Sequence, residues 1–97
     1  MTDIHVENAP GRHRYEARSG DDLLGVAVYE RRDGVVVLTH TVVDQAAEGQ
    51  GVGSALARTA LDAARADGLR VDPQCEFIAS WIDRHPDYAD LVATPLG

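Results

Sequence analysis

Apolar and polar positions follow two different periods along this chain. Residues 24–31 (Leu24-Gly25-Val26-Ala27-Val28-Tyr29-Glu30-Arg31) and 35–43 (Val35-Val36-Val37-Leu38-Thr39-His40-Thr41-Val42-Val43) are rich in β-branched and apolar residues, which favours strands over helices. Asp33-Gly34 between them suits a two-residue hairpin turn with positive φ at both positions. The second run has apolar residues on both faces, so it reads as a central strand covered on both sides. Simple alternation puts His40 on the same face as Val36, Leu38 and Val42. Residues 3–8 and 12–18 read as two further short strands. Asn8-Ala9-Pro10-Gly11 forms the turn between them, and Ser19-Gly20-Asp21-Asp22 forms the next.

After residue 50 the helical period takes over. Val52, Leu56, Thr59, Ala60 and Ala63 fall on one side of a helix over about residues 51–67, and Ser54, Arg58, Asp62 and Arg65 form a narrow polar stripe opposite. So widely apolar a helix is expected to pack on a sheet. Gly68 is a suitable stop. Leu69-Arg70-Val71 reads as a short strand that Pro73 interrupts or closes. A second helix over about 76–84 turns Phe77, Ile78, Trp81 and Ile82 inward and ends at His85-Pro86. Residues 87–97 show no regular pattern beyond a short turn at Tyr88–Leu91. The short early turns imply antiparallel strands, and the crossover helix makes strand 69–72 parallel to strand 35–43. The fold class is therefore α/β, an α+β mixed sheet: antiparallel strands, then a β-α-β crossover and a C-terminal helix. A chain of 97 residues suits a single domain over 1–97.

Composition narrows the functional classes. Sixteen acids against nine bases give a formal charge of −7, which disfavours nucleic acid as a partner. The same charge could steer a cationic substrate, although solubility is the simpler reason for it. All the bases are arginine. No apolar run is long enough for a membrane span, and the first residues lack a signal-peptide pattern, so the expected location is cytoplasmic with no membrane partner. The single cysteine, Cys75, excludes an internal disulfide and a multi-cysteine zinc site, and the histidines show no metal-binding spacing. No metal is expected.

The most informative motif is the glycine loop Glu48-Gly49-Gln50-Gly51-Val52-Gly53-Ser54, set between a strand and a helix. A phosphate needs close approach by several backbone amides, which glycine permits. A helix start adds unsatisfied donors and a partial positive charge. Glycine in a first helical turn costs up to about 1 kcal/mol, so three alternating glycines are more than a tight connection requires. The spacing is neither that of a nucleoside-triphosphatase loop nor GxGxxG. Asp72, some 20 residues on, would fit a dinucleotide ribose contact, but the antiparallel hairpin and the small size argue against that fold.

On this loop the chain resembles the GNAT superfamily of N-acetyltransferases, whose signature is Gln or Arg, two residues, Gly, one residue, then Gly or Ala. Here Glu48 stands where the family usually has Gln or Arg. The stretches His40-Thr41-Val42-Val43, Gly49–Ser54, Pro73-Gln74-Cys75 and His85-Pro86-Asp87-Tyr88 are similar to a short, single-domain GNAT-like subgroup, over about residues 24–90. The resemblance implies a truncated GNAT-like fold without the two early helices that shape an acceptor pocket in larger relatives. It implies acetyl-coenzyme A as cofactor and an amine, small molecule or peptide, as acceptor.

The resemblance further implies that Val42 and Val43 flank the pantetheine arm, and that Gly49, Gln50, Gly51, Val52, Gly53 and Ser54 hold the pyrophosphate. Two routes are open for transfer. His40 removes the amine proton in a direct attack, or Cys75 takes the acetyl group first. Each residue also has a plain structural reading: Cys75 as a small buried hydrophobe, and His40 as a satisfied core histidine. Tyr88 could protonate the leaving thiolate or simply pack. A non-catalytic module that binds or senses coenzyme A is the alternative function. A monomer or weak homodimer is expected.

Overall fold

The computed structural model describes residues 3–93. One sheet carries five strands in sequence order: β1 His5–Ala9, β2 Arg14–Ser19, β3 Asp22–Arg32, β4 Val35–Val43 and β5 Arg70–Pro73. Helix α1, Val52–Ala66, connects β4 to β5, and helix α2, Glu76–Arg84, follows β5. The first four strands pair antiparallel, while β5 runs parallel to β4 and matches only Val35–Leu38. This is the mixed sheet and crossover that the pattern predicts.

Local chemistry explains the element ends. Asp33 and Gly34 both take positive φ, 35° and 83°, in the β3–β4 hairpin. Gly68, at φ 69°, ends α1. Its N–H donates to the Arg65 carbonyl at 3.2 Å and the Leu69 N–H donates to the Ala64 carbonyl at 2.8 Å, which satisfies carbonyls the helix would otherwise leave open. Pro73 closes β5, since it has no amide for a further ladder bond.

Both helices pack on one face of the sheet. Ala17 and Ala27, fully buried, let α1 settle close to β2 and β3. Leu56, Leu61, Ile78 and Trp81 fill the space between, with Tyr29, Leu38 and Val71 beneath them. The expectation that β4 is covered on both sides holds at Val37, 3% exposed on the face away from the helices, and is corrected for the rest of the strand. Along the opposite face run the rows Glu16, Val26, Val42 and Arg14, Val28, His40, and Val42 is 59% exposed there. Glu16 is buried on that face by ion pairs to Arg14 at 2.7 Å, Arg18 at 3.0 Å and Arg12 at 3.4 Å. Hydrogen bonds from Arg14 and then Arg18 hold its carboxyl below the usual carboxylate range. Its share of stability is present at neutral pH and is lost as the pH falls through that lowered value.

His40 also departs from simple alternation. Val28 pairs with His40 but Tyr29 pairs with Leu38, so Thr39 is an extra residue in β4. That bulge reverses the faces taken by the rest of the strand. His40 consequently shares a face with Val42 and not with Val36 and Leu38, which point toward the helices with Tyr29.

The chain beyond α2 is more ordered than its pattern suggests. Pro86–Leu91 forms a 3-10 turn that buries Leu91, and Val92 then bridges to Val71 in parallel. The Ala93 N–H donates to the Val71 carbonyl at 2.8 Å, so this return covers part of the outer edge of β5. The rest of that tail, 94–97, lies outside the described residues. No described helix is long and apolar enough to cross a membrane.

Gly25 tests how closely α1 and β4 approach β3. A Cβ there would stand 2.8 Å from the Val42 carbonyl oxygen and 3.0 Å from Val52 Cγ1. Gly25→Ala should cost about 1–3 kcal/mol and lower the urea midpoint. An unchanged midpoint would show that the backbone yields at no cost.

Candidate functional site

The parallel ladder stops at Leu38, where its carbonyl accepts the Cys75 N–H at 3.0 Å, while β4 continues to Val43. The two strands part beyond this point. On the β3 side, Asp44 N–H donates to the Leu24 carbonyl at 2.7 Å, so in the alternating antiparallel pattern Val42 and His40 also bond toward β3. The backbone groups of Thr41 and Val43 are thus turned into the gap. A cleft of about 400 Å³ opens here, lined by Thr41, Val43, Glu48, Gly51, Gly53 and Phe77 among others.

One end of the cleft is the glycine loop. A short 3-10 turn, Gln45–Ala47, leads into it, with the Asp44 side chain accepting the Ala46 N–H at 3.1 Å. Gly49 and Gly51 have φ of 86° and 83°, the left-handed region where side chains are strained. A Cβ at either position would meet no atom beyond its chain neighbours within 4 Å, so the space above them is open. Gly53 is different: a Cβ there would sit 2.6 Å from the Phe77 ring, so its glycine permits α2 to pack against α1. The first intrahelical bond of α1 runs from Ala55 N–H to the Gly51 carbonyl, at 3.0 Å. The amides of Val52, Gly53 and Ser54 therefore have no partner within the helix. Together with the α1 dipole they form a donor set for an anion. The Trp81 indole, fully buried, donates from Nε1 to Ser54 Oγ at 3.1 Å and anchors this end of α1 to the core.

Where the strands part stands Cys75, half-buried at the N-cap of α2. Its Sγ–H donates to Thr41 Oγ1 at 3.3 Å. Burial, the largest single influence, opposes ionisation. The Thr41 hydroxyl and the amides of Ile78, Phe77 and Thr41 together outweigh it, and the thiol's pKa lies below its ordinary value.

The structure groups Val43, Gly49, Gly51, Val52, Gly53 and Ser54 around one cleft, with Cys75 beside Thr41 at its margin. It does not bring every expected residue there. Gln50 is exposed and outside the lining, and the Val42 side chain lies on the far face of the sheet. His40 is exposed on that same far face, with Nδ1 3.1 Å from Thr39 Oγ1, whereas Cys75 contacts Thr41 on the helix side. The sheet thus separates His40 from Cys75. Tyr88 is also remote: its hydroxyl donates to Asp62 Oδ1 at 2.7 Å and its ring packs on Trp81. Thr41 and Phe77 complete the cleft, and the sequence does not mark either of them. Thr41 is turned inward by a bulge that has no signal in the pattern. Phe77 reads as a core position, yet it is 37% exposed at the cleft.

Residues 14–91 match the family model of the GCN5-related N-acetyltransferases, and the chain belongs to that family. It is an acetyltransferase domain with the truncated form of the family's fold. The NMR solution structure of a GCN5-like protein from Staphylococcus aureus superposes with a TM-score of 0.73 at 23% identity, covering 99% of this chain and 94% of that one. That likeness shows the shared fold. No curated protein matches the chain.

The Thr41 contact makes the ionisation of Cys75 testable. Because the pKa is lowered, the iodoacetamide alkylation rate should reach its plateau at a lower pH than for a free cysteine. Thr41→Val removes one stabilising hydroxyl, so the alkylation profile should move to higher pH. Coincident profiles for the two proteins would exclude Thr41 from that role.

Proposed function

We propose that this chain binds acetyl-coenzyme A in the cleft between β4 and α2 and transfers the acetyl group to an amine. The observation that carries the reading is the junction of two features: backbone groups of Thr41 and Val43 turned into the strand gap, and unpartnered amides at the start of α1. The extended amide-bearing arm of coenzyme A matches the first, and its pyrophosphate matches the second. Gly49 and Gly51 leave room for a ligand, since no atom beyond their chain neighbours lies within 4 Å of a Cβ built at either. Glu48, exposed at the same cleft, opposes an anion and would moderate the affinity.

When bound, acetyl-coenzyme A would supply an activated acyl group as a thioester. The residues that would hold it are Val43 and Thr41 along the arm, and Gly49, Gly51, Val52, Gly53 and Ser54 at the pyrophosphate. Cys75 would stand as the nucleophile of a covalent route, since Thr41 and the α2 amides favour its thiolate. In the direct route His40 would receive the amine's proton from the exposed face of the sheet. The separation of these two residues by the sheet argues against activation of Cys75 by His40.

Thermal unfolding with and without acetyl-coenzyme A tests binding. A ligand at 100 times its dissociation constant should add about 2.7 kcal/mol, a clear upward shift in Tm for so small a domain. Gly51→Asp keeps a residue that tolerates positive φ and places a carboxylate in the cradle, so it should abolish the shift while the unliganded protein stays folded. No wild-type shift at millimolar ligand would sink the reading. Turnover with a panel of amines then separates an enzyme from a module that only binds coenzyme A. Activity retained in Cys75→Ala would remove the covalent route.

A further inference from the structure

We propose that a second anion site lies beside the cleft, in the hollow between the later turns of α1 and α2, and that Arg58 and Arg84 bind a phosphate monoester there: the 3′-phosphate of coenzyme A. The inference rests on the coenzyme A reading above and extends it to the other end of the ligand.

The two helices run side by side in the same direction. The Phe77 ring abuts Gly53, and one turn later Trp81 bonds Ser54. Another turn brings the end of α2 alongside Arg58 and Asp62. A hollow of about 480 Å³ lies there, lined by Arg58, Asp62, Arg65, Arg84, His85 and Tyr88 with neighbouring turn residues. Arg58 is four residues past Ser54 on the exposed stripe of α1, a rise of about 6 Å. That step, plus the reach of an arginine side chain, is comparable with the span from the pyrophosphate of coenzyme A to its ribose phosphate.

The charges of the hollow are unequally engaged. Arg65 is held by both oxygens of Asp90, at 3.0 and 2.9 Å, and by the Asp87 carbonyl at 2.8 Å. Asp62 accepts the Tyr88 hydroxyl. Arg58 and Arg84 have no carboxylate within 4.0 Å among the described residues, although the chain carries a formal charge of −7. Arg31 and Arg70 also lack an ion pair among the described residues, but they lie at the β3–β4 hairpin end of the sheet, away from the cleft. The Arg58 guanidinium is positioned over the Trp81 indole, 5.4 Å from its centroid, which orients the group without neutralising it. His85 stacks on the same indole at 3.7 Å, with its Nδ1 2.7 Å from the Trp81 carbonyl, so the wall of the hollow is rigid. Two guanidinium groups that line one recess, neither with a carboxylate within 4.0 Å among the described residues, suit a phosphate monoester. Asp62 and Asp87 line the same hollow, and their carboxylates oppose the phosphate and moderate its affinity.

Calorimetric titration of the full chain with coenzyme A and with 3′-dephospho-coenzyme A tests the site. Wild type should bind coenzyme A about tenfold tighter or more, as expected for hydrogen bonds to a charged group. In Arg58→Gln/Arg84→Gln that ratio should fall close to one, with affinity for the dephospho form unchanged. Arg84→Gln alone, which leaves the Trp81 contact intact, should remove part of the preference. Arg70→Gln should keep all of it. Equal wild-type affinity for the two ligands would overturn this site and leave the cleft reading standing, as would a preference that survives the double substitution. Failure of wild type to bind coenzyme A at all would overturn the cleft reading and this one with it.

Discussion

Strand β4 outlasts its parallel neighbour, and that inequality of length organises the molecule. Pro73 cannot donate to a further ladder bond, so β5 ends where Leu38 is still paired. The Cys75 amide makes the last link, and the chain then turns into α2. Backbone polar groups at Thr41 and Val43 are left without a neighbouring strand; the Thr41 amide is turned to the Cys75 sulfur, and the rest have to be met by water or by a ligand. Every other part of the site is placed relative to that opening. The glycine loop continues directly from the free end of β4, α1 begins at its rim, and Cys75 and Phe77 enter from the opposite bank.

The two helices are joined by a small set of contacts that serve packing and chemistry at once. Gly53 gives the Phe77 ring its place, and Trp81 lies fully buried with its N–H on Ser54. Deforming the start of α1 therefore means disturbing the core. The same indole carries His85 on one side and Arg58 nearby, so the His85-Pro86-Asp87-Tyr88 stretch belongs to the support of α1. This gives Tyr88 a structural position, locked to Asp62 and lying under Arg65, in place of one near the thiol.

The order of strands, the crossover and the glycine loop are legible in the sequence because each rests on a local rule: alternation, helical period, or a turn that needs positive φ. Gly49 and Gly51 indeed take that backbone, whereas Gly53 owes its identity to a neighbour on another helix, which no local rule contains. The face of His40 escapes the pattern for a related reason. A single inserted residue, Thr39, reverses the alternation, and the bulge leaves no mark because Thr39-His40-Thr41 puts polar side chains on both faces in either register. The same reversal turns Thr41 inward and Val42 outward. The return of Val92 to Val71 is likewise invisible, since one bridge imposes no period.

The arrangement of the helices has one more consequence. Both α1 and α2 start at the cleft, so the positive ends of two macrodipoles meet there, in a chain whose charged side chains are mostly acidic. Attraction for an anion in the cradle comes from peptide groups that carry no dissociable proton and offer no amine to modify. A lysine in their place could be neutralised by acylation. Peptide dipoles cannot, so the positive potential at this end of the cleft is proof against acylating reagents.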